Sequence, residues 1–331
     1  MTTLLPRAAL LDVLAGDAPL VGSRLDPALP RGLVSPVEAR VNLGLPYGDL
    51  LDEEASRLAD RTAAASLRAL ASAALTTALT AEGPAPRRPR IVSAAVDNLT
   101  VAEALDEIFA PPGDRVRVIH FVHPHALNLA HEDPQLRAQL DRAELVLPDG
   151  VGLRIAGLIL GISLRDNLNG TDLLPLLCRR AVAEGRPLAL VGAAPGVAEA
   201  CALRLQADFP GLSIPVVSHG FLDDEASARV AARIAALDRP LTLVAMGTPL
   251  QESWIWKNIA PLPGVTALSV GGLFDFFAGR VPRAPWLWRE LGLEWLFRLR
   301  CEPRRLARRY LVGNPLFLLR ALRQRAAPSA P

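Results

Sequence analysis

The 331-residue chain sets 36 basic against 34 acidic side chains, a net charge of +2, and half of its residues are apolar. That balance excludes a disordered chain and a generally nucleic-acid-coating surface, and it supplies core for one large domain with an appendage or for two small ones. Three widely spaced cysteines, Cys178, Cys201 and Cys301, suggest neither a disulfide framework nor a Cys-x-x-Cys metal site and point to a reducing cytoplasm. The first residues lack a basic region followed by an apolar core, and no later stretch reaches the ~20 uninterrupted apolar residues of a spanning helix, so any membrane contact is expected to be peripheral.

Residues 1–82 are rich in Ala and Leu and read as a separate module, divided from the rest by a Pro/Arg-rich linker at 83–90. Within it, the segment 11–24 resembles the tail end of bacterial polyprenyl-phosphate sugar phosphotransferases, whose pattern ends Leu-Val-Gly-Pro-Arg-Pro; Ser23 and Leu25 stand where that pattern has its prolines. Two readings follow, a non-catalytic remnant of that family or an ordinary helical extension.

From residue 91 short apolar runs alternate with amphipathic stretches, the pattern of a parallel sheet covered on both faces by helices. The expected strands are 116–122, 144–147, 188–191, 214–217, 241–245 and 267–270, and Thr100 with Glu103 forms a capping box for the first helix. The fold class is therefore α/β: a Rossmann-like core over 91–285, with a helical N-terminal extension and, over 286–331, a helical appendage rich in Arg and Trp. Open α/β sheets bind ligands beyond the carboxyl ends of their strands, so the landmarks after these strands predict one shared cleft.

Those landmarks are Asp149-Gly150, Gly247 to Glu252, Gly271-Gly272 with Asp275, Arg283-Ala284-Pro285, and Glu294-Trp295 with Arg298. Together and in this order they resemble the WecG/TagA/CpsF glycosyltransferase family, over roughly 91–310. The resemblance implies sugar transfer from a nucleotide donor to a lipid-linked acceptor in surface-polysaccharide assembly, without a cofactor or an obligatory metal.

Asp149 follows an apolar run and precedes a glycine, so its carboxylate is placed at a strand-to-helix turn, where it can take the proton of an attacking hydroxyl or simply cap the helix. The family resemblance favours the base. Gly192 and Gly196 bracket a turn whose backbone N–H groups can hold a diphosphate, although the Gly-x-Gly-x-x-Gly spacing of dinucleotide sites is absent. Gly247 and Gln251 are the stronger donor candidates, glycine allowing close approach and the amide offering donor and acceptor. Four of the five histidines lie between His120 and His131; His123 is taken as a donor contact in preference to a metal ligand.

On the acceptor or phosphate side stand Asn167, Arg298, Arg305, Arg308 and Arg309. Many members of the family carry arginine where Asn167 stands, so Arg165 or a tail arginine is expected to replace that charge, and Thr171 to cap the next helix. Asp275 and Arg283 are expected to form an ion pair or to touch ligand, and the Trp/Arg mixture of the tail suits a lipid headgroup or a diphosphate.

The expected activity is thus inverting, metal-independent transfer of a hexose or N-acetylhexosamine from a UDP-sugar to a polyprenyl-diphosphate-linked sugar. The protein is expected in the cytoplasm on the inner face of the membrane, with no nucleic-acid partner and with self-association left open. The alternative is a non-catalytic regulatory protein that binds a nucleotide sugar or polyanion.

Overall fold

The computed structural model describes residues 83–111, 113, 115–285, 288 and 292–327, together with 50–60, 62–78 and shorter stretches between 13 and 40. In the N-terminal part, helices α1 (Leu50–Leu58) and α2 (Ala63–Ala78) accompany a small cluster of Leu33, Val34 and Ala73. The buried Glu54 accepts hydrogen bonds from the hydroxyls of Ser23 (2.6 Å) and Ser35 (2.5 Å). Of the phosphotransferase-like segment, residues 11, 12, 14, 17 and 24 lie outside the described residues, as does Leu25.

The run expected to be a linker is laid along the core. Ser163 N donates to Pro84 O (3.0 Å), and the Asn98 amide donates to Pro86 O (3.1 Å) and Ser163 O (2.9 Å). Proline-rich backbone with few N–H groups leaves carbonyls to be satisfied, and the core supplies the donors.

After a hairpin of β1 (Arg90–Ile91) and β2 (Ala94–Ala95) comes helix α3 (Val101–Phe109), which has the expected Thr100/Glu103 capping box. Six parallel strands follow: β3 (Arg117–Val122), β4 (Leu145–Pro148), β5 (Leu188–Gly192), β6 (Val216–Ser218), β7 (Leu241–Ala245) and β8 (Thr266–Ser269). Their order is β4-β3-β8-β7-β5-β6, and each starts within two residues of its expected position. All six read as near-continuous apolar runs because both faces are covered.

On one face Val118, Val122, Val191 and Val244 meet α4 (Pro124–Glu132), α5 (Pro134–Asp141), α6 (Val151–Leu160) and α9 (Asp224–Ala235). On the other, Ile119, Leu147, Leu190 and Leu243 meet α3, α7 (Gly170–Glu184), α8 (Val197–Asp208) and α11 (Leu273–Phe277). Helix α10 (Leu250–Trp254), extended by a π-turn at Ile255–Ile259, links β7 to β8. From β5 the chain turns to β6 at one edge, whereas from β7 it turns back toward β8, so the strand order reverses between β5 and β7. A crevice opens at such a point.

The C-terminal segment holds α12 (Glu294–Cys301), α13 (Pro303–Ala307), a π-helix at Arg308–Gly313 and α14 (Asn314–Ala326). The C-terminal segment is helical as expected, and its last helix, α14, packs on the core. Its Phe317 and Ala321 are fully buried in the first face's cluster, and its Gln324 exchanges hydrogen bonds with Val92 N (2.7 Å) and Arg90 O (2.8 Å). Among the described residues no helix is long and apolar enough to cross a membrane.

Candidate active site

Two pockets meet beyond the carboxyl ends of the strands. The larger, about 1620 Å³, reaches the β5/β7 reversal and is walled by Ala193, Ala194, Gly220, Met246, Gly247 and Gly271. The smaller, about 440 Å³, lies between α6, the segment before α7 and the C-terminal helices, with Val151, Leu153, Leu164, Trp295 and Leu318 giving it an apolar wall. Asp149 lines both, as do His123, His125, Thr171, Phe276, Arg298 and Arg309.

Asp149 is held at this junction by backbone. Its N–H donates to Val122 O (2.8 Å), Leu168 N donates to Pro148 O (3.0 Å), and Gly150 adopts φ 91°, a conformation that glycine reaches without steric cost. The Gly150 N–H donates to Asn167 Oδ1 (2.8 Å), so Asn167 both lines the smaller pocket and fixes the turn that carries Asp149. An arginine at that position has no acceptor to offer Gly150. Burial lifts the Asp149 carboxyl to about 6, Glu294 adds to the rise, and Arg298 and Arg309 oppose it.

The arginines divide between the pockets. Arg298 and Arg309 line both, and each has a buried Nε without a hydrogen-bond partner. Arg298 also lies 4.8 Å over the Phe276 ring. Arg305 and Arg308 are exposed and reach only the larger pocket, Arg305 while paired to Glu302 at 2.7 Å. Of the two replacements expected for the missing arginine, Arg165 is bound to Glu103 at 2.5 Å and lines neither pocket, whereas the tail arginines Arg298 and Arg309 line both; Arg154 also lines the smaller one.

His123 caps α4. Its Nδ1 lies 3.1 Å from Ala126 N and its Nε2 2.7 Å from Arg309 Nη2. Burial, with Arg309 beside it, keeps the ring neutral, and a neutral imidazole accepts at one nitrogen only, so the two contacts compete.

Gln251 is nearly fully buried and its amide is fully engaged. Oε1 accepts from Gly247 N (3.2 Å) and Gly271 N (2.9 Å), while Nε2 donates to Thr248 Oγ1 (3.3 Å) and Glu252 Oε1 (2.9 Å). It lines the larger pocket and ties together the turns after β7 and β8. Gly192 and Gly196 shape the turn after β5 without lining either pocket. A Cβ on Gly192 would stand 2.4 Å from Ala245 O, and Gly196 precedes α8 at φ 82°. Ala193 and Ala194 present that turn to the cleft.

Two further expectations are corrected. Arg283 pairs with Asp172 rather than Asp275, and the cap of α7 is Asn169, whose Oδ1 accepts from Asp172 N (2.8 Å) instead of Thr171. Sequence reasoning left Glu294 without a role and did not single out Phe221, yet Glu294 lines the smaller pocket and Phe221 is 75% exposed at the larger one. An isolated apolar ring in a loop of turn residues was the available signal for Phe221.

The doubly wound parallel sheet carries two pockets that meet at one half-buried carboxylate flanked by arginines, at the strand ends where enzymes of this architecture bind their ligands. The sequence pattern of the glycosyl transferase WecG/TagA/CpsF family matches residues 89–331, and the chain belongs to that family. It is similar to an N-acetylglucosaminyldiphosphoundecaprenol N-acetyl-beta-D-mannosaminyltransferase of Bacillus spizizenii, with 33% identity over 202 residues, 61% of this chain and 77% of the relative. The protein is a glycosyltransferase, and the non-catalytic alternative is set aside.

Proposed function

We propose that this enzyme transfers N-acetylmannosamine or a related N-acetylhexosamine or hexose, with inversion, from a UDP-sugar to the sugar of a polyprenyl-diphosphate-linked acceptor. The observation that carries the reading is the place of Asp149 on the wall shared by both pockets. The donor occupies the larger one, its diphosphate near the turn at Ala193 and Ala194 and its base near the exposed Phe221 ring. The acceptor's sugar enters the smaller one, with its first lipid units against the apolar wall.

In the reaction, the acceptor hydroxyl oxygen forms a bond to the anomeric carbon while its proton passes to the Asp149 carboxylate. The bond from that carbon to the diphosphate oxygen breaks, and the oxygen keeps the electron pair. Arg298 and Arg309 stabilise the charge that grows there, with Arg305 and Arg308 at the outer phosphate, so the reaction is read as metal-independent. Exposed Leu296, Leu311, Val312, Leu319 and Leu322 on the C-terminal helices, interspersed with arginines, support docking on the anionic inner face of the membrane. Each basic residue there contributes about 1 kcal/mol.

The test is transfer from a panel of UDP-sugars, UDP-N-acetylmannosamine included, to a polyprenyl-diphosphate-GlcNAc analogue, with wild type beside Asp149→Asn and with EDTA present. Wild type should turn over in EDTA, and Asp149→Asn should be folded and at least ~100-fold slower. Substantial turnover by Asp149→Asn removes it from the base role, and loss of wild-type turnover in EDTA removes the metal-independent mechanism.

A further inference from the structure

The proposed chemistry sets two demands on one small volume. A leaving diphosphate needs Arg298 and Arg309 close by, but each positive charge near Asp149 favours its ionised form and so weakens it as a base. Glu294 stands where this conflict is met. It opens α12 and lines the smaller pocket with Asp149, and Arg298 lies four residues along the same helix, so α12 presents an acid and a base to the cleft on one face. Among the described residues no hydrogen bond or ion pair engages the Glu294 carboxylate, not even with Arg298 one turn away.

Glu294, Arg298 and Arg309 share the wall of the smaller pocket with Asp149, and of these three Glu294 favours its protonated form while the arginines favour its ionised form. Other charged groups on the smaller pocket are otherwise occupied or neutral. Asp172 is paired with Arg283, Arg154 lies beside Asp166, and burial keeps His123 and His125 predominantly uncharged near neutral pH.

We propose that Glu294 is a positioning residue for the transfer, a second carboxylate that α12 places on the pocket wall it shares with Asp149, Arg298 and Arg309, so that one site holds both a diphosphate and an effective base. This rests on the reading of Asp149 as the base. Glu294 itself neither gives nor takes the reacting proton. Its negative charge keeps Asp149 proton-seeking while Arg298 and Arg309 stay on the walls of both pockets.

The test uses the full chain as wild type, Glu294→Gln, Glu294→Asp and Asp149→Asn. With aspartate carboxyl carbons labelled with carbon-13, the Asp149 resonance is identified by its absence from Asp149→Asn, and its titration midpoint is followed by NMR without substrate. Glu294→Gln should lower that midpoint by roughly one pH unit, with Glu294→Asp close to wild type. The acid limb of kcat/KM should move by the same amount, with kcat lowered and both KM values little changed. Coincident midpoints in wild type and Glu294→Gln overturn the proposal, and because the titration needs no turnover, an inactive variant still decides it. Turnover by Asp149→Asn would instead overturn the base reading, whatever the titration shows.

Discussion

His120 shows how a single buried group sets behaviour that the site does not use. It is fully buried on β3, its Nδ1 2.9 Å from the Ser269 hydroxyl on the neighbouring strand and its Nε2 without a partner. Burial pulls its pKa down to about 3. An unfolded imidazole binds its proton near 6.5, so between 6.5 and 3 the unfolded state holds the extra proton; stability is complete above this window and is lost as pH falls through it. At pH 5 the loss from this group is about 2 kcal/mol. His120→Asn keeps a polar partner for Ser269 and removes the titration, so urea denaturation at pH 7 and pH 5 should show a smaller drop in the variant by about that amount. His123 contributes to both proteins and cancels in the comparison. Equal drops would mean that His120 is not held neutral by the fold.

Turns, more than strands, decide the geometry of the larger pocket, and Gln251 is the brace between two of them. Gln251→Leu strips acceptors from the buried approach of Gly247 N and Gly271 N, which should cost about 2–4 kcal/mol by urea denaturation. The donor KM should rise while the acceptor KM stays near wild type; equal effects on both would show that the brace does not belong to the donor side. Strands were legible because burial on both faces leaves an uninterrupted apolar run such as 241–245. The place of Asp149 at a strand end was legible because an apolar run, Leu145 to Leu147, is closed by Pro148 and followed by Gly150. The brace was not, since its partners are backbone groups whose position depends on how β7 and β8 pair, and a glutamine on a first helical turn reads the same whether it faces a ligand or a turn. Arg283 illustrates the same limit: Asp275 is its near neighbour in sequence, but α7 brings Asp172 to it.

At the scale of the whole molecule, the two ends of the chain differ in what they contribute to the core. Among the described residues, the buried clusters on the two faces of the sheet contain none before Ile91, and the small cluster of Leu33, Val34 and Ala73 stands apart from both. The ordered run from Gly83 is bonded to the core, so a chain of residues 83–331 should melt within a few degrees of the full protein and retain transfer. The opposite end is different in kind. Its arginines and exposed leucines read as a surface feature, but Phe317 and Ala321 face inward, Arg320 donates to Asn128 O (3.0 Å) and Oδ1 (2.9 Å), and Asn128 Nδ2 donates to Gly313 O (2.7 Å). Helix α14 therefore fixes α4, whose N-terminus carries His123, and it meets α6, whose N-terminus follows Asp149. Phe317→Ala should cost about 3–5 kcal/mol by urea denaturation through the cavity it leaves, whereas Leu319→Ala, on the exposed side of the same helix, should change stability by less than about 0.5 kcal/mol. If Phe317→Ala were as stable as wild type, α14 would be an attached helix rather than part of the core. If removing residues 1–82 abolished cooperative unfolding, the division of the chain at residue 83 would be wrong.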